Sequence, residues 1–150
     1  MRHFGLAVLV FAVLSPTAVA DNPPAATPPS LNSAAAPAGA EAYVISPRDG
    51  DTVSSPVTVR FGLKGMGVAP AGIQMANTGH HHLLVDVTEA PAQNQPIAKD
   101  DTHLHFGGGQ TEATIELKPG THTLQLVVGD YLHVPFNPSI ASKPVKITVK

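Results

Sequence analysis

The sequence predicts an all-β protein, an immunoglobulin-like antiparallel β-sandwich of about seven strands. Between Glu41 and Lys150, short runs alternate apolar and polar residues, which is the period of a half-buried strand. Prolines and glycines separate these runs, and the apolar residues do not recur at the spacing of a helix. Seven such runs with turn signals between them are typical of two packed antiparallel sheets.

The predicted strands follow one another at short intervals along the domain. The first ends at a turn sequence that contains Asp49-Gly50. The second alternates Val57, Val59 and Phe61 with polar residues, so one of its faces is expected to be buried. The predicted bounds are 42–46, 56–64, 80–87, 102–106, 111–117, 121–129 and 143–150.

Two of these strands are predicted to form a hairpin. Strands 111–117 and 121–129 are joined through Lys118-Pro119-Gly120, which suits a type II turn. The apolar residues of both strands are then expected to face one another across this turn. The preceding stretch, residues 65–78, is rich in glycine and proline and is expected to be a long loop.

The first forty residues are expected to lie outside this domain. Residues 1–20 combine Arg2, an apolar run from Phe4 to Leu14 and a small-residue site at Ala18-Val19-Ala20, the pattern of a secretory signal peptide. Residues 21–40 are nearly all small residues or proline, which predicts a flexible tether. The β-sandwich domain is assigned to residues 41–150, and the location is expected to be periplasmic or secreted.

Composition excludes several classes of function. The chain has no cysteine, which removes disulfides, thiolate metal sites and thiol catalysis. No cluster of Lys and Arg indicates a nucleic-acid partner, and no later run is long and apolar enough to predict a transmembrane segment. Because no nucleophile elbow, phosphate loop or dinucleotide fingerprint is present, we do not expect an enzyme.

Several stretches carry resemblances to known families. Residues 45–53 and 119–124 resemble bacterial immunoglobulin-like envelope domains. From about Tyr43 to Val149 the chain is more similar to a family of exported bacterial proteins known as domain of unknown function forty-three ninety-nine. This resemblance rests on GMGVAPAG at 65–72, NTGHHHLL at 77–84, HLHFGGGQTEA at 103–113 and PGTHTLQL at 119–126. It implies no activity and no site residues.

Histidines are the residues that indicate chemistry. Side chains two apart in a strand point the same way about 6.5–7 Å apart, so His80 with His82, and His103 with His105, form two same-face pairs. Both pairs are expected on the polar faces of their strands. If the two strands are neighbours, their imidazoles converge, and His133 in a nearby loop could complete the site. Paired histidines of this kind suit copper or zinc. The predicted metal ligands are His80, His82, His103, His105 and His133.

Other polar residues have two interpretations. Strand alternation puts His81 and His122 on the apolar faces of their strands, where they are expected to be buried and structural. Asp86 and Asp101 could bind the metal or orient an imidazole, but ordinary surface positions are favoured. Met66 and Met75 could bind Cu(I), although filling gaps in a core is the commoner role of methionine.

The sequence therefore predicts an exported, histidine-rich β-sandwich that binds a transition metal and handles or buffers copper in the cell envelope. The alternative is a non-catalytic envelope interaction module that binds another envelope protein and whose histidines are structural. A third interpretation is a pH-responsive binding surface, because clustered imidazoles titrate near neutrality.

Overall fold

The computed structural model describes residues 31–150, which form nine β-strands and no helix. The strands are β1 Glu41–Ser46, β2 Thr52–Val53, β3 Val57–Lys64, β4 Gly67–Val68, β5 Thr78–Val85, β6 His103–His105, β7 Glu112–Ile115, β8 Gly120–Gly129 and β9 Val145–Val149. Seven of them correspond to the predicted strands. The other two, β2 and β4, contain two residues each, too few for any periodicity to reveal.

The strands form two sheets. A small sheet has the order β1-β3-β7, and a large sheet has the order β2-β9-β8-β5-β4 with β6 also paired to β5. Most pairs are antiparallel, but β2 with β9 and β4 with β5 are parallel. The all-β sandwich is confirmed, and within residues 31–150 no helix is long and apolar enough to cross a membrane.

The main core lies between the two sheets. On the small sheet, Val59 and Phe61 of β3 are buried, as the alternation in the sequence predicts. On the large sheet, β5 and β8 contribute Leu83, Leu124 and Leu126, none of which is exposed to solvent. Burying a side chain of this size contributes about 1.5–3 kcal/mol, so this layer supplies much of the driving force for folding.

The predicted hairpin between strands 111–117 and 121–129 is wrong. Strand β7 pairs with β3 in the small sheet, with Val57 opposite Ile115, whereas β8 pairs with β5 and β9 in the large sheet. The turn near Gly120 therefore carries the chain from one sheet to the other. Both strands still direct apolar residues into the same core, because β7 faces β8 across the sandwich.

Strand β5 is buried on both faces, contrary to the prediction that His80 and His82 lie on a polar face. Loops from 86 to 102 and from 130 to 142 cover the outer face of the large sheet. Ile97 donates its amide to the carbonyl of His133 at 2.8 Å, and Ile97 packs with Leu84 in a second, smaller core. The histidines of β5 therefore lie beneath loops and not in solvent.

The end of the predicted tether lies against the domain. Ser33 and Asn94 exchange two hydrogen bonds, and Ala36 donates its amide to the carbonyl of Asn137 at 3.0 Å. We call residues 31–37 the N-terminal strap. Small residues have little surface to bury, but these backbone groups find partners in two loops. Residues 21–30 of the predicted tether and the predicted signal peptide at 1–20 lie outside the described residues.

Candidate metal centre

Two histidines of the candidate centre come from β5. His80 and His82 are two residues apart, so their side chains share the outer face of the strand, and their exposed fractions are 0% and 1%. Their ring centroids lie 4.9 Å apart, and the two Nε2 atoms are separated by 3.1 Å. The strand thus holds two coordinating nitrogens side by side under the covering loops.

The third histidine is placed by the pairing of β6 with β5. In this antiparallel register His105 lies opposite His82, and their ring centroids are 5.0 Å apart. The His105 ring is also 5.1 Å from that of His80, in an edge-on orientation. A strand of only three residues therefore completes a triangle of imidazoles.

The fourth histidine, His133, lies in a loop whose shape depends on Asp130. The amides of Leu132 and Val134 both donate to Oδ1 of Asp130, at 2.8 and 2.9 Å. His133 itself has a positive φ of 68°, which is uncommon for residues other than glycine. Such backbone conformations cluster at functional sites. The result is that His133 Nδ1 lies 3.1 Å from His80 Nε2.

The four side chains form one compact group, which we call the four-histidine centre: His80, His82, His105 and His133. One ring nitrogen from each lies within 4.8 Å of all the others. Zn–N bonds are about 2.0–2.1 Å long, which puts tetrahedral ligand nitrogens about 3.3 Å apart. Two of the nitrogen–nitrogen distances, both 3.1 Å, are close to that value, and the remaining ones are at most 4.8 Å, so the group could hold a metal after small side-chain movements.

Hydrogen bonds alone do not satisfy this group. A neutral imidazole has one N–H donor and one acceptor nitrogen. His80 Nε2 approaches two other ring nitrogens, so a single proton or lone pair must serve both contacts. His105 Nε2 is buried and has no partner among the described residues, and the same is true of Nδ1 in His80 and in His82. Unpaired buried polar atoms are costly, and a metal ion would accept the lone pairs of the converging ring nitrogens, whereas Nδ1 of His80 and of His82 would need other partners.

Burial favours the neutral form of three of the four imidazoles. Loss of hydration, reinforced by the neighbouring histidines, lowers the pKa of His80 to about 4 and that of His82 to about 3. The pKa of His105 is also lowered, first by burial and then by His133 and Lys99. A metal binds the unprotonated imidazole, so these ligands do not have to lose a proton at neutral pH.

Two glycines give the imidazoles room. A Cβ on Gly107 would overlap the His105 ring, and a Cβ on Gly129 would lie 3.1 Å from His82 Nε2 and 3.3 Å from the backbone of His133. A run of glycines such as 107–109 can supply unusual dihedrals or allow a close approach, and the approach to His105 occurs at Gly107. Nothing in the sequence indicates the roles of Gly129 and Asp130.

The structure does not place His103 in the centre. His103 lies opposite Leu84, two residues from His105, and its Nδ1 is 2.9 Å from Oδ1 of Asp100. The register between β5 and β6 decides this difference, because only one residue of the His103–His105 pair can lie opposite His82. Four of the five predicted ligands therefore lie together in the centre, and His103 lies beside it.

The other candidate residues also lie outside the centre. His81 is fully buried against Phe61 in the main core, as predicted, and burial lowers its pKa. His122 is only partly buried and bonds Asp86, which places both outside the group. Asp101 is exposed and also lies outside it, Met66 packs against the main core, and Met75 is 62% exposed.

Comparison with known proteins identifies a family. The family model described as Domain of unknown function (DUF4399) matches residues 59–150, which is more than half of the chain and includes the four-histidine centre. No match was found among curated proteins or among solved structures. The chain therefore belongs to the family Domain of unknown function (DUF4399).

Proposed function

We propose that this domain binds one divalent transition-metal ion through His80, His82, His105 and His133, with Cu(II) bound more tightly than Zn(II). The observation that supports this function is the convergence of four ring nitrogens within 4.8 Å, in a partly buried group whose own hydrogen bonds leave nitrogens unpaired. An ion would replace crowded lone-pair contacts with coordination bonds.

The donor set favours Cu(II). All four ligands are imidazoles, and nitrogen sites follow an affinity order in which Cu(II) lies highest among the divalent ions, with Zn(II) below it. The chain has no cysteine, Met66 packs against the main core and Met75 is 62% exposed, so we assign none of the soft ligands that select Cu(I) to the centre. Mg(II) and Ca(II) prefer oxygen ligands such as carboxylates, so an all-imidazole site does not suit them.

We further propose that the protein is exported to the periplasm or secreted, where it handles or buffers copper. The signal-like pattern at residues 1–20 supports export. Four protein ligands fill the positions of a tetrahedral Zn(II) ion or the four strong positions of a tetragonal Cu(II) ion. Structural zinc sites are closed in this way, whereas catalytic zinc sites keep a position for water or substrate. A binding protein is therefore favoured over an enzyme.

The test uses residues 21–150 without a histidine tag. A ligand that binds only the folded state stabilises it by about 2.7 kcal/mol at a hundredfold excess over its dissociation constant. For a domain of this size the melting temperature should rise by about 10 °C. We expect Cu(II) to give the larger rise and Zn(II) the smaller one. Elemental analysis of protein purified from the periplasm would identify the metal carried in the cell.

Variants separate ligands from structural histidines. His105→Ala and His133→Ala should each abolish the metal-dependent rise, because each removes one ligand. These two positions are chosen because their side chains are half-buried, so their removal disturbs the core less than removal of His80 or His82. His122→Gln is the control, since it loses the bond to Asp86 outside the centre and should keep the metal response. If the wild type shows no saturable rise with either ion, the proposal is wrong and the envelope interaction module is the better account.

A further inference from the structure

We infer that His103 is the ligand through which the metal ion enters and leaves the four-histidine centre. This inference rests on the proposed metal binding and adds a route to it. His80 and His82 are fully buried, so an ion must pass beside the half-buried ligands on the β6 side or the His133 loop. The side chains that line that passage therefore control the exchange of the ion.

His103 is close to the centre along β6 and also lines a surface cleft. His103 is two residues from His105 on the same face of β6, about 6.5–7 Å along the strand. It lies opposite Leu84 and therefore diagonally from His82, a separation that long side chains can span. His103 also lines an open cleft of about 430 Å³ together with Asp86, Glu89 and Thr102.

Asp100 prepares His103 for this role. Oδ1 and Oδ2 of Asp100 lie 2.9 and 3.1 Å from Nδ1 of His103. Oδ1 also accepts hydrogen bonds from the amide and the hydroxyl of Thr102. An N–H at Nδ1 that donates to a carboxylate fixes the tautomer and leaves the lone pair on Nε2, the arrangement that accompanies metal-binding imidazoles. His103 thus presents one coordinating nitrogen, without the further ligands needed to retain an ion.

The charges around the two approaches differ. Lys99 carries a positive charge near His105, so a cation that approaches His105 directly meets a like charge. The cleft beside His103 contains the carboxylates of Asp86 and Glu89, although Asp86 is shared with His122. A cleft with negative groups raises the local concentration of cations. The favoured approach is therefore through the cleft and past His103.

An entry ligand has a kinetic signature. If His103 contacts the ion only in transit, its loss raises the barrier equally in both directions and leaves the dissociation constant unchanged. In stopped-flow measurements on residues 21–150, with Cu(II) supplied as its weak glycine complex, we expect His103→Ala to lower the association rate constant about tenfold, the effect of about 1.4 kcal/mol on a barrier. The dissociation rate constant, measured with a competing chelator and extrapolated to zero chelator, should fall by the same factor.

A second variant guards against a folding defect in the first. Asp100→Ala keeps the imidazole but removes the carboxylate that accepts the hydrogen bond from Nδ1, so both rate constants should fall less than in His103→Ala. Unchanged rates in both variants would overturn the inference. So would a dissociation constant weakened as much by His103→Ala as by His105→Ala, because His103 would then be a ligand of the bound ion. A wild type that takes up no Cu(II) would instead contradict the proposed function itself.

Discussion

His122 and Asp86 form the ion pair that links the end of β5 to β8. His122 donates from Nδ1 to Oδ2 of Asp86 at 2.7 Å and from Nε2 to the carbonyl of Lys118 at 2.8 Å. Both acceptors can be satisfied only when both ring nitrogens carry protons, that is, by the imidazolium. The hydrogen bond to Asp86 first, and that to Lys118 second, raise the pKa of His122.

This pair predicts a stability that declines as pH rises. Because the folded pKa lies above the unfolded value of about 6.5, the folded chain holds more protons, and the free energy of unfolding falls as pH increases through the folded pKa. The contribution is fully present below about pH 6.5. Since Asp86 is 46% exposed, solvent screens the pair and we expect roughly 1 kcal/mol or less.

Urea unfolding of the metal-free protein at pH values on either side of this window measures the effect. His122→Gln should unfold more easily than the wild type at the lower pH and about equally at the higher pH. Asp86→Asn is a matched variant, because asparagine tolerates the positive φ of 57° at this position while it removes the charge. A difference between wild type and His122→Gln that does not shrink with rising pH would show that the charged pair is not formed.

The N-terminal strap gives a second prediction, at the level of single amides. Ser33 donates its amide to Oδ1 of Asn94 at 2.9 Å, so that amide should exchange with solvent more slowly than in an unfolded chain. Asn94→Gly removes the acceptor but keeps the positive φ of 59° accessible, and exchange at Ser33 should accelerate.

Asn77→Gly is the control for the backbone change. Asn77 also has a positive φ, of 56°, but it lies in the loop before β5 and not against Ser33. Hydrogen exchange followed by NMR should therefore show a faster Ser33 amide in Asn94→Gly alone. Exchange at the unfolded rate in the wild type would mean that the strap does not dock. The prediction of a flexible tether would then apply to all the described residues before β1.

Alternation of apolar residues predicted strands that have one buried face, such as β3 with Val57, Val59 and Phe61 inward. Alternation could not predict that β5 is buried on both faces, because its outer face packs against loops from distant parts of the chain. Leu84 meets Ile97 there, and no local pattern encodes that contact. The sequence also did not determine which strands pair. The turn at Pro119-Gly120 predicted that the chain reverses direction, but such a turn can join two paired strands of a hairpin or two strands in different sheets.

The candidate centre was visible in the sequence as two His-x-His pairs, because strand geometry alone puts each pair on one face. Which member of the second pair joins His82 depends on the register of β6, and that register places His105 and not His103 opposite it. His133 could be no more than a nearby candidate, since its position follows from the hydrogen bonds of Asp130 and from a positive φ. Tertiary contacts thus select the final group from the histidines that the pattern offers.

Gly107 gives the last prediction, on the positioning of His105. A methyl group at this position would overlap the His105 ring and lie 3.2 Å from the Cβ of Ala71, so the imidazole would have to rotate away from the centre. Changes that disturb the orientation of a metal ligand typically cost 10–100-fold in affinity. Gly107→Ala should therefore weaken Cu(II) binding, measured by competition with a chelator, by about tenfold or more.

Gly108→Ala is the matched control one residue further along the chain. The three atoms nearest to its added methyl group all belong to the side chain of Gln110, at 3.2–3.3 Å, and that exposed side chain can move. Binding should stay close to that of the wild type, because His105 keeps its place. If Gly107→Ala binds Cu(II) as tightly as Gly108→Ala does, the close approach of Gly107 does not position His105, and the ring must be held by its neighbours in the centre alone.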